Sequence, residues 1–139
     1  MAFILPTDYD TVINSDELNV LTEGNNVTLL QAESMAINKI KHQLSSKFDT
    51  DAIFNAQGDA RDLTIVEYTI YYTLYMLYTK IAKVKVPSDR YVQYKEAKDF
   101  FKAASEGTIQ TNLPSKIATE IDDFIDFKFE SDNPYETTY

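Results

Sequence analysis

The chain has 139 residues, no cysteine, no tryptophan and a formal net charge of −9 at pH 7. That length suits one domain, and the hydrophobic share of 44% is normal for a chain that folds around a core. The missing cysteines exclude disulfides and thiolate metal sites, and the acidic excess disfavours tight binding of nucleic-acid phosphates. The N-terminus has a short apolar stretch but no basic leader, so we expect a protein made and used in the cytoplasm, or in an assembly built there.

Two helices are predicted in the first third of the chain. Ser15 is the predicted N-cap of a short helix that ends at Gly24. Thr28 opens a longer helix. Its apolar seam has one acidic interruption and consists of Leu30, Glu33, Ile37, Ile40 and Leu44.

An acidic loop, from Asp49 to Asp62, is predicted to follow that helix. Counted from Asp49, the sixth and twelfth positions of a calcium loop would be glycine and glutamate, but here they are Phe54 and Ala60. The calcium-loop pattern is therefore absent, although weak cation binding stays open.

His42 is the single histidine and has no second histidine with which to share a metal. With no phosphate-binding glycine loop either, we expect neither enzyme activity nor a cofactor.

The next predicted helix, residues 63–83, is apolar nearly all the way round and is about 31 Å long. Charged residues at Glu67 and Lys80 bound its apolar run, which is shorter than the roughly 20 residues that a membrane span needs. We therefore expect no membrane insertion. A helix of this kind is buried centrally or lends one face to another subunit.

Two stripes of residues on this helix correspond to a buried core face and to a face that could contact another subunit. The aliphatic stripe is typical of a core seam and consists of Val66, Ile70, Leu74, Leu77 and Ile81. The second stripe lies about 100° round the helix and contains Tyr68, Tyr71, Tyr75 and Tyr78. Tyrosines reaching the surface from a core helix would explain it, and so would a subunit interface, where tyrosine is enriched.

Pro87 is predicted to separate this helix from the last one, with Ser88 as a plausible N-cap and Gly107 as the stop. The apolar side of the last helix consists of Tyr94, Ala97, Phe101 and Ala104. The predicted fold is all-α: a small antiparallel helical bundle with three main helices, a short N-terminal helix and an extended C-terminal arm.

The arm begins where the composition changes, so we divide the chain into a helical domain, residues 1–114, and a C-terminal segment, residues 115–139. This segment has seven acidic residues and two lysines. Apolar and polar residues alternate in it from Ile125, as in a strand or an extended arm. A solvating tail is one interpretation. Its aromatic residues favour a docking arm instead, with contacts from Phe124, Phe127, Phe129, Tyr135 and Tyr139.

The order of these segments resembles the head-to-tail connector proteins of tailed bacteriophages, also called head completion or neck adaptor proteins. The resemblance covers roughly residues 8–114. It is carried by "SDELNVLTEG", "AESMAINKIKHQL", "TIVEYTIYYTLYMLYTK", "VKVPSD" and "RYVQYKEAKDFFKAASEGTIQTNLP". The tyrosine, glycine and extended end typical of the family's closing helix correspond here to Tyr94, Phe101, Gly107, Ile109, Leu113 and Pro114.

The resemblance implies a structural virion protein, located in the neck between capsid and tail and assembled in the host cytoplasm. It implies a homo-oligomeric ring, typically of twelve copies, that docks on the portal protein and extends the DNA channel towards other neck or tail proteins. An acidic wall would repel phosphate, so double-stranded DNA would pass without specific binding. The acidic, aromatic end after Pro114 is longer than the family pattern, so its partner could be the portal or a second neck protein.

One hypothesis of another class remains from the residues alone. The chain could be a monomeric acidic helical binding module whose C-terminal segment captures a basic protein partner. Such binding would depend strongly on salt, because it would rest on opposite charges at a solvent-exposed surface.

Overall fold

The computed structural model describes residues 2–116, in which every named element is a helix, confirming the predicted all-α class. The α-helices are α1 (Ser15–Thr22), α2 (Asn26–Leu44), α3 (Thr50–Asn55), α4 (Leu63–Met76) and α5 (Ser88–Glu106). Two 3-10 helices, Pro6–Thr11 and Gly58–Ala60, and a π-helical turn, Leu77–Ile81, lie between them. In this part of the chain, no helix has the length and apolar character of a membrane span.

Helices α2, α4 and α5 form the predicted three-helix bundle, with α4 in contact with both others. Near the start of α4, the Tyr68 ring lies 4.9 Å from that of Phe100, late in α5. Near the end of α4, the Tyr75 ring lies 3.8 Å from that of Tyr94, early in α5. Helices α4 and α5 therefore run antiparallel.

The central position of α4 explains why its sequence is apolar nearly all round. The predicted aliphatic stripe is buried from Val66 to Leu77. Thr69 and Thr73, which dilute the apolar run in sequence, are also fully buried. Their hydroxyls donate to backbone carbonyls one turn earlier, at 2.7 and 2.8 Å, so their polar atoms are satisfied inside the core.

Helix α2 begins two residues before the predicted Thr28, and three of the five residues of the predicted seam are buried: Glu33, Ile40 and Leu44. The Asn25 side chain caps it by accepting from the Val27 amide at 2.9 Å. Leu30 is 45% exposed, whereas Ala32 and Ala36 are fully buried. Alanines let two helices approach closely, so the buried face of α2 also includes small side chains that a search for large apolar residues passes over.

The helix ends also differ from the predictions by one residue. Asn14, not Ser15, caps α1 by accepting from the Asp16 amide at 2.7 Å. Ser88 is the first residue of α5, after an extended Pro87, and its side chain makes no cap. Gly107 ends α5 as predicted, in the left-handed conformation that favours glycine.

The predicted acidic loop is largely helical, because it contains α3 and the second 3-10 helix. Ile53 and Phe54 are buried and hold α3 against the bundle. Asp49 and Asp62 serve as N-caps of α3 and α4, each accepting from a backbone amide at 3.1 Å. These two carboxylates therefore have a structural role as helix caps.

The predicted helix to Lys83 ends instead in the π-helical turn. The Ala82 amide donates to the Leu77 carbonyl, five residues earlier, at 2.8 Å. Lys83 then takes a φ of +56°, in the left-handed region that L-residues other than glycine seldom adopt. The turn is thus closed by a residue whose backbone is strained.

Residues 2–13 form a further covering layer, called here the N-terminal segment. Phe3, Ile4, Tyr9 and Ile13 are buried in it. At the other end of the described chain, Ser115 pairs with Phe48 in an isolated antiparallel bridge, just after α2. The chain is therefore attached to the bundle up to the beginning of the predicted arm.

Candidate interaction surface

A row of aromatic rings follows the junction of α4 and α5 on the outside of the bundle. We call it the tyrosine row; it consists of Tyr68, Tyr71, Tyr75 and Tyr91. Tyr68 and Tyr71 have ring centroids 5.8 Å apart, and Tyr75 lies 6.4 Å from Tyr91. The first three rings are half-buried and Tyr91 is 49% exposed. Half-buried rings are held in position by the bundle, and their exposed apolar surface is available for contact with a second molecule.

The four tyrosines predicted to form a subunit interface divide into two groups. Tyr68, Tyr71 and Tyr75 belong to the tyrosine row. Tyr78 is only 5% exposed, and its hydroxyl donates to Glu17 on α1 at 2.6 Å. Tyr78 therefore packs mainly inside its own chain, and the interface role of the other three stays a prediction.

The hydroxyls in the tyrosine row act as hydrogen-bond donors. Tyr68 donates to Glu96 at 3.1 Å and Tyr71 donates to Glu67 at 2.7 Å. Burial, and then hydrogen bonding to these carboxylates, raise the pKa of both phenols above the ordinary value. Both tyrosines are consequently neutral at every physiological pH, and the row offers apolar rings edged by carboxylates.

A second surface, which was not predicted from the sequence, lies on α5 beside α2. Gln43, Tyr94, Asp99 and a stripe of α5 residues line a groove of about 360 Å³. The stripe has a spacing of four, three, four and three, which places Tyr91, Lys95, Lys98, Lys102 and Ser105 on one helix face. That spacing is visible in the sequence, but charged residues on one helix face are typical of a solvated surface and do not by themselves indicate a groove. We call this surface the lysine groove.

A buried acid and phenol pair lies beneath the N-terminal segment. Tyr9 is 2% and Glu33 is 7% exposed, and the Tyr9 hydroxyl donates to the Glu33 carboxylate. Burial raises the pKa of both groups, although the Tyr9 hydrogen bond partly offsets the rise for Glu33. Glu33 is the acidic interruption in the predicted α2 seam, and a partner 24 residues earlier explains how it is tolerated. Enclosure keeps this pair from any substrate.

Metal-binding geometry is absent from residues 2–116, where no group of three or more histidine or carboxylate side chains could hold an ion. His42 is exposed on α2. The predicted docking residues lie outside the described residues and are named only as a sequence feature: Phe124, Phe127, Phe129, Tyr135 and Tyr139.

Comparison of the chain with protein-family models, with curated proteins and with solved structures finds no match.

Proposed function

We propose that the chain is a structural subunit of a phage head-to-tail connector, which assembles as a ring on the portal protein and continues the DNA channel. The tyrosine row is the observation that carries the proposal. It supplies a rigid, partly apolar strip along two helices, the kind of surface through which neighbouring subunits pack. The order of sequence segments that resembles this family supports the same assignment.

Two further properties are compatible with a channel wall. The net charge of −9 lets DNA pass instead of being held. The C-terminal segment combines acidic and aromatic residues and would provide the contact with the portal or with a second neck protein. The assembled ring would be part of the virion and would lie in the neck between capsid and tail.

Tyr71 is the best residue with which to test the subunit interface. Its ring packs on Tyr68 at the edge of the core and its hydroxyl donates to Glu67 on the same helix, and it forms no ring contact with α5. Tyr75 is less suitable because it stacks on Tyr94, with ring planes 7° apart. We expect Tyr71→Glu to fold normally and to lose ring formation, since a new charge would be buried between subunits.

The assay mixes the full chain with purified portal rings and examines the product by electron microscopy and sedimentation. We expect the wild-type chain to add a ring to the portal, and Tyr71→Glu to leave the portal bare. Val92→Glu, at a 61% exposed position on α5, adds the same charge outside the tyrosine row and serves as the matched control. A wild-type chain that does not bind portal rings would refute the connector assignment, and full binding by Tyr71→Glu would refute the tyrosine row as its interface.

A further inference from the structure

The lysine groove concentrates positive charge on an acidic protein. Lys95 is 60% exposed and lies 3.4 Å from Asp99, one turn further along α5. Within residues 2–116, neither Lys98 nor Lys102 has a carboxylate partner within ion-pair distance. The groove therefore presents two unpaired ammonium groups next to a paired one, although the whole chain has a net charge of −9.

Aromatic rings accompany these charges. Tyr91 and Tyr94 line the same groove, near the start of α5, and Gln43 approaches from α2. Tyr94 is held in place by stacking on Tyr75, so its position is fixed by the bundle. A ligand that suits this surface would carry several negative charges and apolar rings on one short extended stretch.

The chain itself contains such a stretch. Residues 120–130 read "EIDDFIDFKFE" and combine five acidic residues and three phenylalanines with a single lysine. In an extended stretch, alternate side chains point to opposite sides, so Phe127 and Phe129 would share a side with Ile125. Such an arrangement would let the phenylalanine rings face the groove tyrosines while neighbouring carboxylates of the stretch reach the groove lysines.

The attachment point of the C-terminal segment places this stretch within reach. Ser115 pairs with Phe48, just beyond the end of α2, and the Asp49 amide donates to the Pro114 carbonyl at 2.8 Å. The end of α5 lies at the same end of the bundle, because Lys47 Nζ is 2.6 Å from where a Cβ on Gly107 would be. The groove thus begins close to where the chain leaves the bundle.

The length of chain is ample for an intramolecular contact. The face from Tyr91 to Ser105 is about 21 Å long at 1.5 Å per residue. An extended chain advances about 3.3 Å per residue, so some seven residues cover the groove and a few more connect it to Lys116. A tethered segment also meets its own groove at a high effective concentration, which favours the same chain over a second copy.

We propose that residues 120–130 bind in the lysine groove of their own chain. Their carboxylates contact Lys95, Lys98 and Lys102, and their phenylalanine rings pack on the tyrosines of the groove. A partner of the C-terminal segment has to displace this contact before it can bind. The inference does not depend on the connector assignment, since it concerns the isolated chain.

The test uses paramagnetic broadening in the full-length protein. The chain has no native cysteine, so Ser131→Cys allows a single nitroxide to be attached next to the proposed docking stretch. We expect amide signals of residues 94–105 to broaden strongly and those of α1 to remain sharp. Raising the ionic strength from 0.1 to 1 M shortens the screening length from about 10 to about 3 Å, and this should weaken the broadening.

Charge reversal supplies the decisive comparison. Replacing Lys95, Lys98 and Lys102 together by glutamate should abolish the broadening, and further replacing Asp122, Asp123 and Asp126 by lysine should restore it. The matched control reverses three exposed lysines outside the groove, Lys80, Lys83 and Lys85, and should leave the broadening unchanged.

Three results would overturn the proposal. The wild-type chain could show no selective broadening of the groove amides, or the broadening could persist after reversal of the groove lysines. Broadening could also occur only between molecules, in a mixture of isotope-labelled chains and spin-labelled chains. That last result would assign the groove to a second copy.

Discussion

Replacing Tyr9 by phenylalanine tests the buried pair beneath the N-terminal segment. The substitution removes one hydroxyl and leaves the Glu33 carboxylate without this donor, in a site where Glu33 is 7% exposed. Hydrogen bonds to charged groups contribute about 1.5–3 kcal/mol, and a buried group left unsatisfied costs a similar amount. We therefore expect the free energy of unfolding to fall by about 2–3 kcal/mol at pH 7. For a folded unit of this size, that corresponds to a decrease in Tm of about 10 °C.

The pH dependence of this loss has a definite sign. Burial raises the pKa of Glu33 in the folded state, and the hydrogen bond from Tyr9 opposes that rise. Removing the hydroxyl therefore raises the folded-state pKa further, while the unfolded-state pKa is unchanged. A raised folded-state pKa makes ionisation of the acid costly, so stability is highest below the unfolded pKa and falls as pH rises through the folded value. The destabilisation by Tyr9→Phe should therefore be larger at pH 7 than at pH 5, because at the lower pH more of Glu33 is protonated and depends less on the Tyr9 donor.

The assay is urea unfolding of the wild-type chain and the Tyr9→Phe variant at both pH values, followed by circular dichroism. Comparing the two proteins at each pH cancels the titration of all other groups. Tyr91→Phe is the matched control, because Tyr91 is 49% exposed and its loss of a hydroxyl should change stability by no more than about 0.5 kcal/mol. An effect of Tyr9→Phe that is equal at the two pH values, or larger at pH 5, would refute the reasoning.

Three other substitutions test separate parts of the fold by the same unfolding measurement. Arg61→Met should cost about 2–3 kcal/mol, since the guanidinium donates to Asp8 at 2.6 Å and to the Phe3 carbonyl at 2.8 Å. Burial acts to raise the pKa of Asp8, and hydrogen bonds, chiefly from Arg61, outweigh it and leave the pKa lowered. The Arg61→Met loss should therefore shrink as pH falls through the folded-state pKa, and a loss that grows would contradict the pairing. Lys83→Gly should stabilise by about 0.5–1 kcal/mol by relieving the left-handed backbone, whereas Lys83→Ala, which keeps a Cβ, should not. Phe101→Ala should cost about 3–5 kcal/mol because the ring is fully buried, and a loss below that of a surface substitution would show that the ring does not pack in the core.

The parts of the fold that the sequence predicted are those in which large apolar residues recur at helical spacing. Helices α4 and α5 have such stripes, and their buried faces agree with the prediction, as at Leu74 and Phe101. In helix α2 the predicted seam agrees at Ile40 and Leu44, but Leu30 is exposed and the prediction passed over the fully buried Ala32 and Ala36. Small side chains contribute little to a pattern of large residues, although they decide how closely two helices pack.

The features that could not be predicted depend on partners far apart in the chain. The N-terminal segment has no periodicity, and its attachment through Arg61 joins positions 58 residues apart. Glu33 interrupts an apolar seam in the sequence, and only its contact with Tyr9 in the fold explains why it is tolerated there. One stripe was predicted to contain Tyr68, Tyr71, Tyr75 and Tyr78. That Tyr78 turns inward depends on Glu17, which lies 61 residues away in the sequence.

The attachment of the N-terminal segment to later parts of the chain has a consequence for synthesis on the ribosome. Phe3 packs on Phe54, with ring centroids 5.0 Å apart, and its carbonyl accepts from Arg61. At about 5–20 residues per second, Arg61 is added roughly 3–12 s after Phe3. During that interval the apolar residues of the segment have no native partner to cover them. Asp8 and Asp10 lie among these residues in the sequence, and their charges oppose association between nascent chains until α4 is made.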